Sequence, residues 1–306
     1  MPNLRQLEYL VAIADTRHFR RAAERVNTTQ PTLSEQLKSL EQRLGVQLVE
    51  RTRSRVVMTP LGSQITQIAR RMLSDANEIR SLAASGGREL SGVLRIGLPP
   101  TIGPYLLPRV IPELHARYPE LKLYVREELP SMLPRSLDEG THDLVITLLP
   151  VNGADLSSVV LYREPLHLLV GIDHPLAAQS RVRKRDLQGQ DVLALGPGHQ
   201  LHDVVQTLCE ELGANLRFDY EGTSLDMLRE MVATGLGVTF MPDLYVQTML
   251  TRDPSVTCLE LEGRSVYRTI GMVWRASSAR GATYEQLADL IRTKLSAKSE
   301  GAVAAV

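Results

Sequence analysis

The stretch TTQPTLSEQLKSLEQRLG, Thr28 to Gly45, holds a helix start, one apolar stripe and a stop. Leu33, Leu37, Leu40 and Leu44 recur at helical, not strand, spacing. Thr29 is placed as the N-cap, Pro31 falls in the first turn where its missing N–H costs nothing, and Gly45 supplies the stop. The rest of the surface carries Gln30, Thr32, Ser34, Gln36, Lys38 and Ser39, where a merely solvated face would carry paired Glu and Lys. Upstream, residues 4–16 read as an amphipathic helix with Leu4, Leu7, Leu10, Val11 and Ala14 inward. FRRAAERVN reads as a shorter helix with Ala22, Ala23 and Val26 inward, followed by a turn at Asn27 and Thr28. Two helices joined by a short turn and packed on a first make a helix-turn-helix unit.

In such a unit the second helix enters the major groove with its N-terminal residues against base edges. Gln30, Thr32, Ser34 and Gln36 are therefore the candidates for base contacts, since amides and hydroxyls both donate and accept there. Arg5, Arg20, Arg21, Lys38, Arg51 and Arg53 are the candidates for phosphate contacts. Two short β-type runs, 46–49 and 55–59, flank the polar turn Arg51–Ser54 and predict a basic wing. The bland alternative is a three-helix module that binds protein. Residues 1–90 hold 14 Lys+Arg against 9 Asp+Glu, while the remainder holds 21 against 26. A basic head on an acidic body points to a polyanion for the head.

From Pro60 to about Ala84 the pattern is helical again, with Leu61, Ile65, Ile68, Met72, Ile79 and Leu82 near one stripe. A helix this long cannot bury itself on a small domain, so the stripe is expected to meet a second copy of the chain. ASGGREL, 84–90, is the expected domain break. Beyond it strands and helices alternate. GVLRIGL, LKLYVREE, DLVITLL, LHLLVGI, DVLALG, LRFDYEG, GVTFMP and RTIGMVW read as strands. Helices are expected at 103–117, 131–139, 201–212, 224–234 and 283–296. That alternation predicts an α/β body with mainly parallel sheets in two lobes, with ligands collecting between the strand ends.

No run approaches the roughly 20 apolar residues of a membrane helix, and Met1–Gln6 shows no signal peptide, so the expected compartment is the cytoplasm and no membrane partner is expected. Cys209 and Cys258 are the two cysteines, too few for a disulfide framework. With no CxxC or HExxH spacing and scattered histidines, neither a metal site nor a cofactor is expected.

LEYLVAIADTRHFRRAAERVNTTQPTLSEQLKSLEQRLGVQLVERT followed by TPLG resembles the amino-terminal signature of LysR-type transcriptional regulators. The resemblance extends from Leu4 to about Leu295. It implies an α+β chain: a winged helix-turn-helix at 1–59, a linker and dimerisation helix with hinge at 60–90, and an effector-binding regulatory domain at 91–306 like periplasmic binding proteins. Lobe I is expected at about 91–165 and 267–296, lobe II at about 166–266. The implied partners are double-stranded promoter DNA, a small-molecule or ion effector, a second copy through the linker helix (in a homotetramer), and RNA polymerase.

Within the family, RHFRRAA, IGLPPTIGPYLLPRVIPELHARYPEL, GHQLHD, TSLDMLREMVATGLGVTFMP and YRTIG resemble the OxyR-like, peroxide-sensing subgroup. In that subgroup the residue after the Gly-His is the peroxide-reacting cysteine, with a second cysteine nine residues on. Here Gln200 follows Gly198-His199, and Cys209 stands where the second cysteine would. An amide cannot do a thiolate's chemistry. The favoured expectation is therefore reversible binding of a metabolite or ion, and the alternative is a redox route through Cys209. Cys209 also reads as a small buried hydrophobe beside Leu201, Val205, Leu208 and Leu212.

Thr101, Ser131, Thr147, His199, Gln200, Thr223, Ser224 and Phe240 lie at predicted strand ends or helix starts and are the candidates for the effector pocket. Thr101 begins a helix whose free N–H groups suit a small polar ligand, and it matches a pocket residue of the subgroup, as Arg268 matches one near its switch region. His199 with Asp203 is a candidate polar pair, and Ser224 doubles as an expected N-cap. A rival reading, an enzyme or solute-binding protein on the same two-lobed body, has no use for the first 90 residues. His202 and Cys209 on one helix with no orienting group do not make a catalytic pair.

Overall fold

A computed structural model describes residues 1–51, 56–85, 90–153, 155–250, 253–263 and 266–296. The chain divides into two compact units, one of Met1–Gly92 with Arg135–Asp143, the other of Val93–Pro134 with the chain from Leu144 on.

In the first unit, helix α1 (Leu4–Thr16) opens on a capping box in which Asn3 Oδ1 accepts from the Gln6 N–H at 2.8 Å and Gln6 Oε1 accepts from the Asn3 N–H at 3.3 Å. Helix α2 (Phe19–Arg25) is capped by His18, and Asn27, at φ 51°, turns the chain into helix α3 (Gln30–Leu44). Asn is among the few side-chain-bearing residues that tolerate that left-handed conformation. Leu10, Ile13, Ala22, Ala23, Leu33, Leu37 and Leu40 form the core, each at most 2% exposed. Full burial of a leucine is worth ~1.5–3 kcal/mol. The inward face of α1 differs from the expected stripe: Leu7 and Leu10 are buried, but Leu4 is exposed and Gln6, Tyr9, Ala12 and Ile13 take the interior. Other helices cover α1 from several sides, so its buried arc is wider than one stripe.

The wing is formed by β1 (Val49–Arg51) and β2 (Val56–Met58), antiparallel, with Val49 opposite Met58. The first strand starts later than the expected 46. The Val46 N–H donates to the Glu41 carbonyl to close α3, and Glu41 Oε1 accepts from the Leu48 and Val49 N–H groups at 2.8 and 3.1 Å. Residues 46–48 thus serve the end of α3. The turn at 52–55 lies outside the described residues.

Helix α4 (Pro60–Ser85) starts where Thr59 Oγ1 accepts from the Gly62 N–H at 2.8 Å. A Cβ on Gly62 would fall 2.0 Å from the Leu48 carbonyl oxygen, so only glycine lets α4 lie this close to the wing. Gly62, Thr66, Ala69 and Ser74 face inward, whereas Leu61, Ile68, Met72 and Ile79 are exposed. The side chain of Leu82 lies outside the described residues.

The second unit is built on a sheet of order β4-β3-β5-β12-β6-β11-β7, with β10 pairing β6. Strands β3 (Gly92–Leu98), β4 (Leu121–Glu127) and β5 (Leu144–Leu148), with helix α5 (Gly103–Arg117), belong to the first half of the body, while α6 (Leu133–Asp138) counts from Arg135 on with the first unit. Strand β6 (Leu156–Gly171) is sixteen residues long and crosses to the second half. There follow β7 (Arg181–Val182), β8 (Asp191–Val192), α7 (Gln200–Leu212), β9 (Asn215–Leu216), α8 (Leu225–Ala233), β10 (Thr239–Pro242), α9 (Asp243–Met249) and β11 (Val256–Leu261). Strand β12 (Tyr267–Arg275) returns beside β6, and α10 (Gly281–Ser296) ends the described chain.

The expectation of mainly parallel sheets is corrected. β3 and β5 are parallel, but β12 is antiparallel to both β5 and β6, and β10 and β11 are antiparallel to β6. A chain that goes out to a second lobe and comes back must lay its two crossing strands in opposite directions. β12 pairs residues 156–165 of β6, while β10 and β11 pair residues 166–171.

Candidate nucleic-acid interface and effector crevice

At the start of α3, Thr29 Oγ1 accepts from the Thr32 N–H at 3.3 Å and lies 2.8 Å from Thr32 Oγ1. Gln30, Thr32 and Lys38 are exposed and Ser34 is half-buried. Pro31, Ser34, Glu35 and Lys38 line an open groove completed by Gln47 and Val49 at the base of the wing. Gln36 departs from this surface: its Oε1 accepts from Gln6 Nε2 at 3.3 Å, toward buried α1, because position 36 flanks the Leu33–Leu37–Leu40 stripe.

The arginines divide likewise. Arg21 is exposed, and Arg20 pairs with Glu24 at 3.1 Å in the open. Arg5 is bound within the head: Nη2 donates to the Val26 carbonyl at 2.9 Å, Nε donates to Tyr9 Oη at 3.1 Å, and Nη1 meets Glu8 at 2.7 Å. These bonds to Tyr9 and Glu8 raise its pKa further. Arg5 thus fastens the end of α2 to α1, a role the spacing gave no sign of. The side chain of Arg51 and all of Arg53 lie outside the described residues.

In the body, Thr101 is buried after β3, and its carbonyl accepts from Arg268 Nη2 at 3.0 Å. Arg268 Nε donates to Glu164 Oε1 at 2.6 Å in a pair whose side chains are 1% and 0% exposed. Glu164 Oε2 in turn accepts from the Leu244 N–H at 2.7 Å, at the start of α9. This carboxylate joins β6, β12 and α9 where the lobes meet. Tyr162, two residues along β6, is fully buried, and its pKa is pushed well up by burial and then by the Glu164 charge. Tyr162 Oη, Arg268 Nη1 and Thr147 Oγ1 are buried with no hydrogen-bond partner among the described residues.

His199 sits at the N-cap position of α7, yet its side chain makes no capping bond. It is 6% exposed, Nδ1 is unpartnered among the described residues, and the Oε1 of adjacent Gln200 is too. Burial, then neighbouring His202, lowers the His199 pKa and favours neutral imidazole. Gly198, at φ 93°, is close enough that an added Cβ would lie 3.7 Å from Leu129, so this loop adjoins the Leu129–Ser131 segment. Ser131 itself is exposed. The expected His199–Asp203 pair is corrected: Asp203 Oδ1 lies 3.2 Å from His202 Nδ1 instead, because His199 turns inward.

The remaining candidates scatter. Ser224 caps α8, accepting from the Met227 N–H at 3.2 Å, and Thr223 is exposed. Phe240 is 1% exposed in β10, opposite Leu168, as a core side chain. Cys209 is buried in α7 and its thiol is pushed up to about 11 by burial and then Glu210; Cys258 in β11 is pushed up to about 12 by burial and then Asp243. Both thiols are free. No cluster of metal-ligating side chains occurs among the described residues, and no described helix is long and apolar enough to cross a membrane.

A second polar group joins the lobes on the α5 side, unannounced by any sequence signal. Tyr105 Oη donates to Asp226 Oδ2 at 3.3 Å, and Tyr245 Oη donates to Asp226 Oδ1 at 3.1 Å. The two tyrosine rings meet edge to face at 5.0 Å. Arg109 Nη1 and Nη2 donate to Gln247 Oε1 at 3.2 Å and Thr248 Oγ1 at 2.9 Å. Burial, then the Asp226 charge, pushes both phenols well up, so they remain donors.

Residues 4–63 match the bacterial regulatory helix-turn-helix family of lysR type, and residues 87–296 match the LysR substrate binding domain. The chain is 43% identical over 295 residues to the DNA-binding transcriptional dual regulator OxyR of Escherichia coli K12, covering 96% of each chain. Among solved structures it is similar to a cysteine-to-aspartate variant of full-length OxyR from Pseudomonas aeruginosa, with TM-score 0.79, 37% identity and 95% of each chain covered. It is also similar to a cysteine-to-serine variant of Corynebacterium glutamicum OxyR with hydrogen peroxide bound, with TM-score 0.67 and 31% identity, covering 97% of this chain and 94% of that one. A wing beside an exposed helix start, a two-lobed body and relatives matched along nearly their whole length place the chain in one family: it belongs to the LysR-type DNA-binding transcription regulators with an effector-binding domain.

Proposed function

We propose that residues 1–59 read double-stranded promoter DNA through the start of α3, with Gln30, Thr32 and Ser34 against base edges and Arg20, Arg21 and Lys38 along the phosphates. Gln36 and Arg5 act from behind as positioning groups, and Arg51 and Arg53 belong to the wing's phosphate contacts. Residues 60–90 form the linker and dimerisation helix with its hinge, and exposed Leu61, Ile68, Met72 and Ile79 on α4 favour pairing of two chains within a homotetramer. Residues 91–306 form the regulatory domain, with lobe I at about 91–165 and 267–296 and lobe II at about 166–266. The protein works in the cytoplasm as a regulator that catalyses no reaction, and RNA polymerase is its partner at the promoter.

The effector is a small polar molecule or ion bound reversibly between Thr101, Thr147, His199 and Gln200. One observation carries this reading: His199 Nδ1 and Gln200 Oε1 are buried without partners among the described residues, at a start of α7 that the His199 side chain does not cap. The ligand acts through its different affinity for two lobe closures, which changes the spacing of paired DNA-binding heads. A second reading is favoured by the relatives named hydrogen peroxide-inducible genes activators: oxidation at Cys209. The high pKa of that thiol leaves little thiolate to react at neutral pH.

The test is intact-mass and thiol analysis after peroxide treatment, with promoter affinity measured in parallel on wild type and Cys209→Ser. We expect unchanged promoter affinity in both proteins. A modification confined to Cys209 that tracks with a change in affinity, absent from the variant, establishes the second reading and ends the first.

A further inference from the structure

We propose that Tyr105, Asp226 and Tyr245, flanked by Arg109 with Gln247 and Thr248, form a latch that holds the two lobes of the body in one closure. Tyr105 and Arg109 stand in the first two turns of α5, on lobe I; the other four stand on α8 and α9, on lobe II. The covalent connection between the lobes runs through β6 and β12, and these side chains tie the lobes again through α5, α8 and α9. One carboxylate takes two phenolic donors, one from each lobe, so neither lobe can move without leaving a charged acceptor short of a partner. Both rings are buried, Tyr105 at 3% and Tyr245 at 0% exposed, and the edge-to-face contact sets their approach. The Arg109 bonds lie one turn further along α5 and resist rotation about the tyrosine contact.

Tyr105 of the latch lies four residues beyond Thr101, a member of the proposed effector site, on the same strand-to-helix connection. A body that opens there must break these bonds first, so their strength sets the resting population of open chains.

Hydrogen–deuterium exchange on the full-length protein tests this without any effector. Tyr105→Phe keeps the ring and removes the one phenolic donor that crosses between the lobes; Arg109→Ala alters a half-buried position outside the tyrosine contact. Losing a hydrogen bond to a charged group speeds local opening about tenfold. Peptides covering 103–110 and 225–249 are expected to exchange about tenfold faster in Tyr105→Phe and about threefold faster in Arg109→Ala, whose bonds are partly open to solvent, with those covering β3 and β12 unchanged. Unchanged exchange in 103–110, or acceleration spread equally over β3 and β12, overturns the proposal: the first means the bonds hold nothing shut, the second that they only stabilise the fold.

Discussion

The starts of α3 and α7 are opposites. At α3 the cap is complete, and Gln30 and Thr32 stand in water with nothing to lose while unbound. At α7 the cap side chain does not cap, and His199 and Gln200 carry buried atoms without partners among the described residues. Exposed polar groups are satisfied by solvent, so such a surface can wait for a long polyanion that brings its own counter-ions. Buried ones cost about 1–3 kcal/mol each while unmet. That expense is tolerable where a small ligand or a water meets them. On the proposed reading, the head recognises by display and the body by enclosure.

The contrast predicts that polar substitutions in the body cost stability and those on α3 cost affinity. Arg268→Ala carries the largest effect, since it strands Glu164 at the lobe junction: about 3–5 kcal/mol by analogy with other broken buried pairs, read as a lower denaturation midpoint of the body in urea. If the midpoint barely moves, enclosure is not part of the fold. Next, Gln30→Ala with Thr32→Ala is expected to weaken specific promoter binding by about tenfold or more while shifting stability by no more than ~0.5 kcal/mol. Equal losses on specific and random duplexes would make these side chains phosphate contacts instead.

The smallest effect concerns His199. Its folded pKa lies below the unfolded value near 6.5, so as pH falls below about 6.5 the unfolded chain takes up a proton that the folded chain resists. Stability is fully present above that pH and declines below it, until the folded pKa is passed. His199→Gln should flatten the fall in melting temperature between about pH 7 and 5.5. Parallel curves for the two proteins would mean His199 is not enclosed in solution.

Much of the head was readable in advance. The leucine spacing, Thr29 and Gly45 are local devices, and each behaves as its chemistry demands. The α1 stripe was less legible, because which residues are inside depends on how many neighbours cover the helix. Gln36 and Arg5 show the same limit from the other side: amide and guanidinium groups suit DNA, but their partners Gln6 and Val26 lie 30 and 21 residues away. In the body, Thr101 and His199 stand after a strand and before a helix as expected, and both are buried. Phe240 and Ser224 stand at similar ends and serve the core and a cap. Helix α9, only seven residues long, was too short to show a period, though it supplies Tyr245 and the N–H that Glu164 accepts.

By itself the order of residues determined the start and stop of α3, the wing, the family, and the presence of Gln200 where the resembled subgroup carries a thiol. Periodicity and capping act over a few residues, and they leave their mark in any window of that length. Tertiary structure alone decided the antiparallel return of β12, the Arg268–Glu164 pair, and the meeting of Tyr105, Asp226 and Tyr245. These join positions 104, 121 and 19 residues apart. Such contacts exist only once the chain has closed its long loops, and no local pattern records which distant side chain will be waiting there.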